Sequence, residues 1–135
     1  MNKKFLIAVV AMFVVSMVKD FLVHGMLLAQ DYAKLGSLMR TPEEQQKLFI
    51  WMLLAHAMIA AALVWVYVQG RRDAPWLAQG VRFGIALALL TVIPGYIIYY
   101  VVEPLPGDLI VKQVVYDTIG TVLLGMAVAA LYRKA

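Results

Sequence analysis

Lys19-Asp20-Phe21-Leu22-Val23-His24 sets three ionisable side chains inside an apolar run that extends from Phe5 to Leu28. The run is long enough to cross a hydrocarbon core about 30 Å thick at about 1.5 Å of rise per residue. A charged group at the centre of such a span costs about 2.5–3.5 kcal/mol or more unless it faces protein or trapped water, so these side chains require partners. The reading of the rest of the chain is a search for them.

The whole composition agrees with a membrane setting. The 135 residues are 64% hydrophobic and 15% charged, and the mean hydropathy of +0.83 is far above what a water-soluble core absorbs. Such a length holds four spans of about 20 residues with short connections and leaves no space for a soluble catalytic domain, so any chemistry belongs in or beside the bilayer. The net charge of +4 sits in short clusters at span ends, where Lys and Arg act as topology anchors, and nucleic acid is not an expected partner. Absence of cysteine excludes thiolate metal sites, disulfides and redox thiols. The amino terminus resembles a signal peptide, but the apolar run continues past Lys19-Asp20 with no small-x-small site after it, which predicts an uncleaved first span.

The pattern predicts an all-α, integral membrane four-helix bundle forming a single transmembrane domain over 1–135, with spans at about 5–28, 46–69, 76–102 and 109–131. Lys3, Lys4, Arg71, Arg72, Arg133 and Lys134 flank one side, which places both termini in the cytoplasm. Tyr32, Leu35, Leu38 and Met39 recur at helical spacing and imply a short segment lying in the outer interface. Thr41-Pro42-Glu43-Glu44 is a helix start, with Thr41 as N-cap, Pro42 at the first helical position and Glu44 closing a capping box, so the second span is expected to descend from there. Pro94-Gly95 removes a backbone donor and frees the Leu90 carbonyl in the third span, predicting a kink. Trp51, Tyr99 and Tyr100 at one boundary, and Trp65, Tyr67, Trp76 and Tyr132 at the other, fit aromatic belts. Leu48–His56 can also be laid over Leu109–Asp117, matching His56 to Asp117, as two helical hairpins in pseudo-repeat would.

Counting rise from the nearest basic anchor puts Asp20, His56, Tyr96 and Asp117 at about 21–24 Å, one from each span. His24, Glu103 and Lys112 fall higher, at about 30–32 Å. Asp20 and His24 are four apart and share a helical face, as do Gln113 and Asp117. Gly80, Gly84, Gly120, Gly125, Ala129, Ala57, Ala60 and Ala61 line the inner half, where small residues let helices close up, and a through-pore is disfavoured. The predicted site is therefore a polar pocket in the outer leaflet built from Lys19, Asp20, His24, His56, Tyr96, Glu103, Lys112, Gln113 and Asp117.

Three readings of these residues stand side by side. In the first, Lys19 and Lys112 neutralise Asp20 and Asp117 and the network is structural. In the second, the pocket binds a small polar or zwitterionic molecule, with a proton-coupled role open to the histidines. In the third, Asp20, His24, His56 and Asp117 ligate a divalent metal such as zinc, against the repulsion of the two lysines; no other cofactor is expected, and haem is disfavoured by the depth difference between His24 and His56. No nucleophile elbow, phosphate loop or metalloprotease motif is present, so catalysis is not expected. Four short spans transport only as an assembly, which implies a homo-oligomer; an accessory or assembly subunit would instead dock on another membrane protein.

Phe21-Leu22-Val23-His24-Gly25, Thr41-Pro42-Glu43-Glu44-Gln45, Ala55-His56, Gln79-Gly80-Val81-Arg82-Phe83-Gly84, Gly95-Tyr96 and Val111-Lys112-Gln113 together carry a resemblance. On them the chain resembles small, uncharacterised bacterial four-span inner-membrane proteins. The resemblance implies a fold and transfers no activity to particular residues.

Overall fold

The computed structural model describes residues 2–134, and among them there is helix and turn but no strand. In chain order the helices are α1 (Lys3–Leu27), α2 (Ala29–Ala33), α3 (Pro42–Lys47), α4 (Phe49–Gly70), α5 (Trp76–Val102) and α6 (Gly107–Leu131). Helices α1, α4, α5 and α6 are each long and apolar enough to cross a membrane, which makes the chain a multi-pass membrane protein. The chain divides into two compact units, Met1–Val66 and Tyr67–Ala135, with the boundary inside α4.

In the first unit, α1 opens on Asn2, whose side chain accepts from the Lys4 amide at 2.9 Å. Its buried residues Ala8, Met12 and Ser16 recur every fourth position and lead along one face to Asp20. Immediately after Asp20 the helix widens: Phe21–Leu27 is a π-segment, closed where the Leu28 amide donates to the Val23 carbonyl five residues back at 2.9 Å. Such segments are rare and concentrate at functional positions. Gly36 then turns the chain with φ of 55°, a left-handed conformation in which a side chain would be strained.

The capping box at Thr41 forms as the sequence predicts. The Glu44 amide donates to Thr41 Oγ1 at 3.3 Å and the Thr41 amide to Glu44 Oε2 at 2.9 Å. The helix it starts does not run on into the second span, however. It stops at Lys47, and Leu48, at φ −97° and ψ 3°, separates α3 from α4. Glu43 to Lys47 is polar on every face, so this turn has no apolar stripe with which to enter lipid, and the spanning helix begins afresh at Phe49.

In the second unit, α5 and α6 approach closely. A Cβ on Gly84 would stand 2.5 Å from the Val122 Cα, and one on Gly80 would stand 2.8 Å from the Gly125 carbonyl oxygen. Glycine is required at both because backbone, not side chain, fills the space, as expected for small-residue packing of spans. Ahead of Pro94, α5 accommodates the missing donor with a π-segment at Ala88–Val92 and resumes as α-helix from Ile93 to Val102. Thr91 Oγ1 donates to the Leu87 carbonyl there at 2.7 Å.

Candidate functional site

In the first unit the polar centre is Lys19, Asp20 and His56. The Lys19 ammonium pairs with Asp20 Oδ1, and His56 Nε2 meets Asp20 Oδ2 at 2.8 Å. On its other side the His56 ring faces the Met52 carbonyl, 2.9 Å from Nδ1 and one helical turn back on α4. A carbonyl oxygen only accepts, so Nδ1 carries a proton. The Nε2–Oδ2 bond then needs a proton of its own, because an unprotonated ring nitrogen and a carboxylate oxygen are both acceptors. Either the ring is an imidazolium beside a carboxylate, or a neutral ring accepts from a carboxylic acid. The pair is therefore bridged by one hydrogen-bonding proton, at a histidine that is 6% exposed.

His24 lies one turn beyond Asp20, and a ring nitrogen of His24 and an oxygen of Asp20 come within 4.8 Å of each other. The shared face expected from their spacing is thus present, although the helix is a π-segment there. His24 Nδ1 pairs with the Tyr32 hydroxyl at 2.6 Å, and the two rings stack with centroids 5.9 Å apart. Tyr32 is the residue that sequence reasoning left out of the site. Its helical spacing with Leu35 and Met39 drew it to the interface, whereas beyond the break at Leu28 its hydroxyl, eight positions on, reaches His24.

In the second unit the Tyr96 hydroxyl donates to Asp117 Oδ2, joining α5 to α6. Asp117 and Gln113, one turn apart on α6, are both buried. Lys112 is exposed on the same helix, and Glu103 is exposed at the C-terminal cap of α5, where its carbonyl accepts from the Leu105 amide at 2.7 Å. Among the described residues the Glu103 carboxylate makes no hydrogen bond or ion pair.

A groove of about 450 Å³ opens elsewhere in the first unit, between Phe13 of α1 and Ile50, Trp51, Leu53, Leu54 and Ala57 of α4. Its lining is entirely apolar, as a lipid-facing cleft between spans would be. For a cation to enter at Asp20, it would have to displace an ammonium from one oxygen and an imidazole from the other.

A family model described as "Protein of unknown function (DUF1761)" matches residues 7–129, a range that takes in every candidate residue. No curated protein and no solved structure matches the chain.

Proposed function

The chain belongs to that DUF1761 family, and because its description assigns no activity we propose a function from the side chains alone: a multi-pass protein of the bacterial inner membrane that binds a small polar molecule or ion at an ionisable site in the outer leaflet. The site is centred on Lys19, Asp20 and His56, with His24 and Tyr32 beside them. Both termini lie in the cytoplasm, in keeping with the basic residues at the corresponding span ends. The observation that carries the reading is the double hydrogen bond of His56, to Asp20 at 2.8 Å and to Met52 at 2.9 Å. It sets an ammonium and an imidazole N–H beside one carboxyl group, an excess of donors that suits an anion or the carboxylate end of a zwitterion. Uptake of such a ligand draws Lys19 or His56 away from Asp20, and the proton on the pair moves with the exchange.

One observation favours the alternative of a structural network in an accessory or assembly subunit: both oxygens of Asp20 are already paired. Thermal stability of the purified protein over a panel of amino acids, organic anions and divalent metals separates the two. A binding site predicts ligand-dependent stabilisation that Asp20→Asn and His56→Ala both abolish. Lower stability of both variants with no response to any ligand assigns the cluster to structure, and a response to a divalent metal alone makes the site a cation site.

A further inference from the structure

We propose that the basic end of the second unit binds the phosphate of an anionic phospholipid between Arg71 and Arg133. The turn after α4 and the end of α6 meet here, since Lys134 Nζ donates to Asp73 Oδ1 at 2.8 Å. The two segments bring four cations, Arg71, Arg72, Arg133 and Lys134, to a place where one side-chain carboxylate, that of Asp73, stands among the described residues. That carboxylate is committed to Lys134, and the hydrogen bond and charge of Lys134 hold the Asp73 carboxyl below the usual range for the group. Among the described residues the guanidinium groups of Arg71, Arg72 and Arg133 have no carboxylate partner. An unbalanced charge of this size at a membrane boundary attracts anionic headgroups at about 1 kcal/mol per basic side chain.

The arginines are also placed. The Arg71 guanidinium lies 5.2 Å from the Tyr132 ring centroid, and that of Arg133 lies 5.9 Å from the Trp76 ring. A cation–π contact of this kind uses no N–H donor of the guanidinium in a hydrogen bond, and a guanidinium fork grips a phosphate through two parallel bonds. The aromatic supports are themselves braced, since Tyr67 packs on Tyr132 at 6.1 Å and edge-on to Phe83 at 5.3 Å. Gln79 closes the intervening turn, accepting from the Arg72 amide and donating to the Ala74 carbonyl, both at 2.7 Å. A lipid fits better than free phosphate because the cations stand at the ends of three spans, with exposed Leu77 and Leu131 alongside to take acyl chain.

The test uses the full chain in an uncharged detergent, with phosphatidylglycerol, phosphatidylcholine or inorganic phosphate added at equal concentration. Native mass spectrometry counts bound lipid and thermal unfolding reads stabilisation. Phosphatidylglycerol alone is expected to bind and to raise the midpoint. Arg71→Gln with Arg133→Gln weakens that binding at least tenfold, and Arg71→Lys with Arg133→Lys, which keeps charge but loses the fork, weakens it by less. Lys134→Gln leaves it within twofold. Equal binding of phosphatidylcholine, full stabilisation by inorganic phosphate, or undiminished phosphatidylglycerol binding in the Gln pair would each overturn the proposal.

Discussion

The two units hold their polar residues in opposite ways. In the first, an ammonium, a carboxylate and an imidazole are joined by side-chain bonds alone, and the carboxylate is still 29% exposed. In the second, a phenol meets a carboxylate that is 4% exposed, on helices whose backbones touch at Gly80, Gly84 and Gly125. Bonds between charged side chains can be exchanged for bonds to a ligand or to water; backbone contact cannot. Under the proposed function, the exchangeable chemistry belongs to α1 and α4, and α5 and α6 supply rigidity.

The largest expected effect lies on the rigid side. Gly84→Leu drives a branched side chain into the Val122 backbone, a clash no rotamer relieves. Thermal unfolding in detergent should show a loss of about 3 kcal/mol or more, and a near-neutral variant would mean that α5 and α6 are not in backbone contact. Asp20→Ala and Tyr96→Phe test the contrast itself. Asp20→Ala leaves Lys19 and His56 without their shared carboxylate and is expected to cost about 3 kcal/mol, at the lower end for breaking a buried pair because Asp20 is partly exposed. Tyr96→Phe removes one hydrogen bond and leaves a buried carboxyl oxygen without that partner, for about 1–3 kcal/mol. Only the Asp20 variant should also alter ligand-dependent stabilisation.

The smallest effect is at the exposed Lys134–Asp73 pair. The folded-state value of Asp73 is lowered, so the pair's contribution is present above the unfolded-chain value of about 3.9 and is lost as pH falls through the lowered folded-state value. Lys134→Ala should therefore lower the neutral plateau slightly and leave the acid end of a stability–pH profile in place, flattening the limb between them by the same small amount. An unchanged acid limb would show that the pair does not form in solution.

What the sequence made legible follows from how local each signal is. The spans are continuous apolar runs, and among the described residues they form four helices long and apolar enough to cross a membrane. The Thr41 capping box is complete within four residues and was readable for the same reason. Pro94 announced a disturbance, but nothing in composition distinguishes a kink from the π-segment at Ala88–Val92, since both follow from one missing N–H. The π-segment at Phe21–Leu27 has no proline and left no trace. Rise per residue placed Asp20 and His56 at one depth, and they are hydrogen-bonded. Depth carries no azimuth, so it could not show that His56 also reaches Met52, nor that Tyr32 returns to His24.

The claim on which the functional reading rests is that His56 and Asp20 share a proton. Nitrogen-15 spectra of the His56 ring, recorded on the protein in bilayer nanodiscs, test it most directly. The account predicts a protonated Nδ1 and an Nε2 signal that moves in Asp20→Asn; a bare Nδ1, or a ring spectrum indifferent to that substitution, would contradict it.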